Sequence, residues 1–307
     1  MSAHQPFRTV SQTRDGQLVD VPGLAISWFA ANARDLPWRN NGCSAWGVLV
    51  SEVMLQQTPV SRVIPAWNTW MSTWPQPADL AAATNADVIR AWDRLGYPRR
   101  ALRLRAAAIV IRDEHGGDVP IEYEQLITLP GVGDYTAAAV AAFAHKQRAV
   151  VLDTNVRRVI ARVIEGQPMP ASSAPTKLER QMAEELLPDR PADAALWSVA
   201  VMELGALLCR PTSPACDACP LAQQCLWRQR GFPPAPERKR ASQGFEGTDR
   251  QVRGRIMAML RARHDPVALD DLTSTCTDPI QRARALDGLV ADGLVEPLAG
   301  GNFRLPQ

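Results

Sequence analysis

The chain has 307 residues, which as a soft prior means about two domains. At 46% hydrophobic and 21% charged it can bury an ordinary core without staples. A net charge of +2 and an isoelectric point near 8.3 neither name nor exclude a nucleic-acid partner, because a basic groove can be offset by acidic surface elsewhere. The first ten residues contain no apolar stretch, and no run reaches the roughly 18 apolar residues of a membrane span. A cytoplasmic protein with no membrane partner is expected, and its six cysteines then point to metal or catalysis rather than disulfides.

Residues 1–20 read as an N-terminal tail. Strand signals are nearly absent from the first 230 residues, and helical periodicity dominates. A helix is predicted over 44–57, and a second starts at Thr58-Pro59, where a cap precedes a proline in the first turn. Further helices are predicted over 82–95, 99–115, 123–128, 135–145, 154–165, 177–187 and 193–209, separated by connectors such as Pro75-Gln76-Pro77 and Gly116-Gly117. This is an all-α array extending over 21–227. Residues 228–249 are rich in proline, glycine and basic residues, including Arg238-Lys239-Arg240, and read as a linker. Past it, 250–264 is amphipathic, and Asp278-Pro279 opens a helix to 292. An alternating segment around Gly300-Gly301 then reads as a short hairpin. Residues 250–307 are therefore expected to form a small winged-helix-like α+β unit.

Three motifs carry chemistry. Cys209, Cys216, Cys219 and Cys225 crowd four thiols into one short loop, the pattern of a metal-tied loop. Spacing alone leaves both a structural zinc and a [4Fe–4S] cluster open. The second motif, Leu129-Pro130-Gly131-Val132-Gly133, allows a tight hairpin that offers backbone N–H groups at a helix start. Such a nest suits a phosphate, although a plain helix–helix turn has the same composition. The third is a carboxylate pair. Glu52 lies mid-helix among apolar residues, and Asp153 ends an apolar run just before a helix, where it also fits an N-cap. A solvated Glu52 is the bland alternative. Together the two are the equipment for cleaving a glycosidic bond, one protonating the leaving group and the other facing an oxocarbenium-like transition state.

With these motifs in place, the order Leu36-Pro37-Trp38-Arg39, SEVMLQQT over 51–58, Leu95-Gly96-Tyr97, LPGVG followed by Tyr135, LDTNVRRV over 152–159 and the four-cysteine loop resembles the A/G-specific adenine DNA glycosylases of the helix-hairpin-helix superfamily, over roughly residues 20–230. The resemblance implies a two-lobed helical domain with DNA held between the lobes, and a [4Fe–4S] cluster on the four cysteines. It implies that Glu52 protonates adenine and later helps activate water, and that Asp153 stabilises the sugar cation. Tyr135 and Asn155 support that transition state. Gln57 and Tyr97, with Gln56 in the same motif, are implied to wedge into the duplex, and Trp38 and Arg39 to wall the adenine pocket, as base flipping requires. Gly131, Val132 and Gly133 are the implied phosphate hairpin. The implied partner is duplex DNA with adenine opposite 8-oxoguanine or guanine, engaged by a monomer at the nucleoid.

Bifunctional relatives such as endonuclease III carry a lysine where this chain has Tyr135. A phenol, with pKa about 10, forms no imine, so a monofunctional glycosylase is expected. Two departures stand out. Residues 228–307 do not resemble the nudix-like domain that follows in most of the family, and Pro98 stands where a second tyrosine is common, with Arg99 and Arg100 beside it as expected phosphate contacts. A uracil or thymine mismatch glycosylase, an endonuclease III-like enzyme and a non-catalytic DNA-binding regulator are the competing readings. Glu52 counts against the two enzymes, and Glu52 and Asp153 together in their full motifs count against the regulator.

Overall fold

The computed structural model describes residues 11–12, 18–235 and 244–307; the basic run at 238–240 and most of the N-terminal tail lie outside them. Two short strands, β1 (Ser11–Gln12) and β2 (Leu18–Val19), pair antiparallel ahead of α1 (Val21–Asn32). There follow α2 (Ala45–Leu55), α3 (Val60–Thr73), α4 (Pro77–Ala82), α5 (Asn85–Trp92), α6 (Arg99–Glu114), α7 (Tyr123–Leu126) and α8 (Asp134–Phe143). Next come α9 (Thr154–Ile160), which runs on into a π-helical turn over Ala161–Glu165, then α10 (Lys177–Leu186), α11 (Pro191–Leu207) and α12 (Leu226–Gln229). The C-terminal part adds α13 (Asp249–Ala262), β3 (Val267–Ala268), α14 (Pro279–Ala291), β4 (Glu296–Leu298) and β5 (Asn302–Arg304).

The helical array is as expected, with two differences. The helix predicted over 82–95 is shorter, Asn85–Trp92, because Thr84 accepts from Asp87 N and starts it, and a separate helix α4, opened by a capping box between Gln76 and Asp79, precedes it. Helix α1 was not foreseen, although Asp20 accepts from Gly23 N at 2.8 Å and Pro22 sits in the first turn.

The chain folds as two compact units. One gathers Met1–Asn40, Ile121–Ile127 and Gly133–Arg238; the other gathers Asn41–Pro120, Thr128–Val132 and Lys239–Gln307. The core of the first joins α1, α9 and α11 through Val21, Ala25, Val156, Ile160, Trp197 and Leu204, and the cysteine loop packs on the same cluster. The second unit has a tryptophan-rich core. Trp70 meets Trp74 and Trp92 edge-on, with ring centroids at 4.9 and 5.4 Å. The indole N–H groups of Trp46, Trp67, Trp70 and Trp92 all reach backbone carbonyls, which removes the cost of burying them. Gly47 permits the approach of α3 to α2, since a Cβ there would stand 2.8 Å from Cys43 Sγ and 3.2 Å from the Trp67 ring.

The C-terminal part of this second unit is winged-helix-like. Strands β3, β5 and β4 form an antiparallel sheet beside α13 and α14, and Asp278 caps α14 by accepting from Ile280 N and Gln281 N. It shares one apolar core with α5: Ala86 and Ile89 pack with Val252, Ile256 and Leu286. Its arginines are occupied by their surroundings, Arg284 with Asp249, Arg263 with Asp271, Arg304 with Glu296, and Arg261 with Asp93 at the end of α5.

Candidate active site

Glu52 lies in α2, which begins where Ser44 Oγ accepts from Gly47 N. The solvated alternative does not hold: Glu52 is only 5% exposed, between Ser51 and Val53, which are also buried. A carboxyl kept in such a place carries a desolvation cost that a merely solubilising glutamate avoids.

In the other unit, Asp153 is the N-cap of α9. Its Oδ1 accepts from Asn155 N at 2.9 Å and Val156 N at 2.6 Å, and its Oδ2 accepts from the Asn155 side-chain amide at 2.7 Å. The cap fixes the carboxylate plane. Burial raises the Asp153 carboxyl above its ordinary value, against the opposing effect of these hydrogen bonds and of the Arg158 charge. Asn155 is itself held, its Oδ1 accepting from Arg158 Nη2 at 2.7 Å. Arg158 is buried and also donates to the carbonyls of Gly205 at 2.8 Å and Cys209 at 2.6 Å. Asp153, Asn155 and the first cysteine of the loop thus share one hydrogen-bonded chain. Tyr135, in the first turn of α8, packs beside Ala138 and Ala139.

The hairpin before α8 turns through a Val132 N to Leu129 O hydrogen bond at 3.0 Å. Gly131 has φ +81°, and a Cβ there would meet Arg103 Cβ at 2.8 Å, so glycine is required twice over. Gly133 caps α8 without a side chain, and a Cβ there would meet nothing within 4 Å.

Gln56, Gln57 and Tyr97 line one pocket with Arg99, Arg100 and Arg103. Gln57 and Tyr97 both adopt left-handed backbone, at φ +57° and +48°, which side-chain-bearing residues rarely do outside constrained sites. Arg100 differs from the phosphate contact expected of it. Arg100 gives both terminal nitrogens to carbonyls and a hydroxyl of its own unit, and Arg99 pairs with Asp292 at 3.0 Å.

Trp38 is buried in a short helical turn over Pro37–Arg39. Arg39 Nη2 donates to Glu203 Oε2 at 2.9 Å, and its guanidinium lies 5.4 Å from the Phe29 ring centroid. Arg34 holds the same carboxylate through Nε at 2.7 Å and Nη2 at 2.6 Å. Burial acts to raise the Glu203 carboxyl, but the hydrogen bonds from Arg34 and Arg39 outweigh it and hold it at about 2.

Cys209, Cys216, Cys219 and Cys225 line a single cavity together with Leu204 and Trp227. Arg162 crosses its wall, donating to Cys209 Sγ at 3.3 Å and stacking 4.4 Å from the Trp227 ring centroid. Burial pushes the Cys219 thiol up to about 11, so the thiolate form there calls for a bound cation. Among the described residues, no three such donors are drawn up around a single metal ion.

The model of the HhH-GPD superfamily base excision DNA repair proteins matches residues 50–188. The adenine DNA glycosylase of Mycobacterium tuberculosis is 49% identical over 284 residues, covering 92% of this chain and 92% of its own. That of Mycolicibacterium smegmatis is also 49% identical, covering 92% of this chain and 95% of its own. The chain belongs to the adenine DNA glycosylase family. Among solved structures, a thermostable thymine-DNA glycosylase superposes with a TM-score of 0.62 at 25% identity, over 68% of this chain and 95% of that one.

For an adenine DNA glycosylase read from sequence, three residues here were missed. Glu203 is a lone glutamate in an apolar helix, a signal that a buried charge needs a partner, but Arg34 and Arg39 are too distant in sequence to name. Gly205 lies against Asn155, where a Cβ would stand 2.7 Å from Asn155 Cβ. Arg158 sits in the recognised LDTNVRRV run with Arg157; both are buried, and only folding shows that Arg158 meets Asn155 while Arg157 pairs with Glu179.

Proposed function

We propose that this family member is a monofunctional glycosylase that hydrolyses the N-glycosidic bond of adenine opposite 8-oxoguanine or guanine in duplex DNA. The observation that carries the reading is the Asp153 carboxylate, fixed by its own helix start and by Asn155. A buried, oriented carboxylate is suited to face an oxocarbenium-like sugar, because it needs no reorganisation as positive charge develops. Glu52 is the acid that protonates the extruded adenine. Its burial supports that role, since proton transfer to a base held beside it is aided where bulk water is kept out. Trp38 and Arg39, steadied by Glu203, wall the base, Gln57 and Tyr97 fill the vacated stack, and Gly131–Gly133 offers N–H groups to a phosphate. Tyr135 supports the transition state and provides no amine, so the strand stays intact.

The four thiols sharing one cavity fit a group bound by four thiolates. Cys209, Cys216, Cys219 and Cys225 would hold a [4Fe–4S] cluster, which when bound ties the loop that Arg158 contacts. A monomeric cytoplasmic protein fits this reading, and among the described residues no helix is long and apolar enough to cross a membrane.

The test is single-turnover excision from duplexes holding one adenine opposite 8-oxoguanine, guanine, cytosine or thymine, worked up with and without alkali, with a G·T duplex beside them. Adenine release that needs alkali to cut the strand is the expected result. Thymine release, or strand cleavage without alkali, would overturn it. Glu52→Gln is expected to lose excision, and the purified protein to absorb visibly; a colourless zinc-containing protein would remove the cluster.

A further inference from the structure

Arg100 is the second residue of α6, yet its guanidinium reaches back across two other segments. Nη1 donates to the carbonyls of Val53 at 2.9 Å, Met54 at 3.2 Å and Gln56 at 2.5 Å, all at the end of α2. Nη2 donates to Thr58 Oγ1 at 3.1 Å, Leu95 O at 3.3 Å and Gly96 O at 3.0 Å. The plane lies 5.1 Å from the Trp92 ring centroid and 5.7 Å from that of Tyr97. The last carbonyls of a helix have no partner within it, and a cation there also meets the negative end of its dipole. One planar fork therefore clips the end of α2 to the loop after α5. The two residues it brackets, Gln57 and Tyr97, both have left-handed backbone. Such conformations persist only where the surroundings over-determine them.

We propose that Arg100 is the positioning residue for both wedge side chains, setting Gln57 and Tyr97 through the backbone it clamps rather than by touching DNA. This rests on the reading of Gln57 and Tyr97 as wedges. The donor geometry excludes a phosphate role, because both terminal nitrogens are spent on protein acceptors and Nε is buried. Lysine cannot replace it, having one nitrogen where the two loops need a fork.

The test uses the full chain and a duplex with 2-aminopurine in place of adenine, whose fluorescence reports unstacking, alongside single-turnover adenine excision. Arg100→Lys is expected to lower extrusion and excision by about tenfold or more, with the fold checked by circular dichroism. In a Gln57→Ala/Tyr97→Ala background the same substitution should cost less than about twofold, because its route is gone. If the double variant is impaired and Arg100→Lys multiplies with it, the assignment of Arg100 is overturned while the wedge reading stands. If the double variant extrudes the base as the parent does, the wedge reading fails and takes the proposal with it. Should Arg100→Lys not fold, Thr58→Val removes one acceptor of the same fork and the hydroxyl donated to Leu95 O at 3.2 Å. It is expected to slow extrusion by about threefold in the parent and not in the double variant; no effect in either overturns the proposal.

Discussion

Asn155 donates its side-chain amide to Oδ2 of Asp153 at 2.7 Å, and its own carbonyl oxygen accepts from Arg158 at the same distance. The second bond assigns the amide: with Oδ1 turned to the guanidinium, only the NH2 can face the carboxylate. Asn155→Ala should remove the amide and leave Asp153 free to rotate about its backbone contacts. A hydrogen bond to a charged group is worth about 1.5–3 kcal/mol, so excision is expected to fall by roughly 10- to 100-fold with little change in DNA affinity. Asn155→Asp would place a second acceptor against Asp153 and should be worse. Equal rates for parent and Asn155→Ala would show that Asp153 needs no such support.

Asp153 also couples activity to stability with a definite sign. Burial raises its carboxyl, so the folded state favours the protonated form over the unfolded chain. Stability from this group is present at low pH and is lost as pH rises through the folded value. Asp153→Asn removes that loss and keeps a good helix cap. The variant is therefore expected to melt above the parent at pH 7, to lose that advantage as the pH is lowered, and to be inactive at both. Calorimetry across the range checks it; a variant melting below the parent at pH 7 would show that the cap outweighs the desolvation.

Gly205 gives a steric test of the same network. A Cβ there would lie 2.7 Å from Asn155 Cβ and 2.9 Å from its carbonyl oxygen, and one of those atoms is backbone. Gly205→Ala ought to push α9 and α11 apart, which costs about 1–3 kcal/mol as overpacking does elsewhere. Excision should drop further than the shift in urea midpoint accounts for, since Asn155 moves and the Arg158 bond to Gly205 O is strained with it. A variant less stable but fully active would separate the helix contact from catalysis.

Much of this was readable from local pattern. Ser44 before an apolar run, Asp278-Pro279, and the paired glycines at 131 and 133 each act within a turn or two of themselves, so their signals survive in sequence. The four cysteines were legible for the same reason. Arg100 was not: it looks like a basic surface residue beside Arg99, and only the return of α6 past the end of α2 turns it toward carbonyls. The helix predicted from 82 in fact starts at Asn85, because the helix-favouring alanines at 81–83 run up to the cap at Thr84, which sets the start. Asp20 and Pro22 did announce α1, but an all-round apolar helix has no clear face to find.

Glu203 shows what long-range pairing adds. Its side chain is fully buried, yet held ionised by Arg34 and Arg39, which retain 34% and 22% of their side-chain exposure. Because its folded value is near 2 rather than the ordinary 4.5, the stability it contributes is present above pH 4.5 and lost as pH falls toward 2, up to about 3 kcal/mol. Glu203→Gln keeps the shape but leaves two guanidiniums facing a neutral amide. Urea unfolding at pH 6 and pH 3 should find the variant weaker than the parent at both, with the gap at pH 3 shrunk to about half or less, closing only as the pH nears 2. Arg39 would also lose its anchor, so adenine excision should fall by about tenfold even where the protein is folded. A constant gap between the two proteins across pH would mean that Glu203 acts by packing alone, and that the arginine pair is held by something other than its charge.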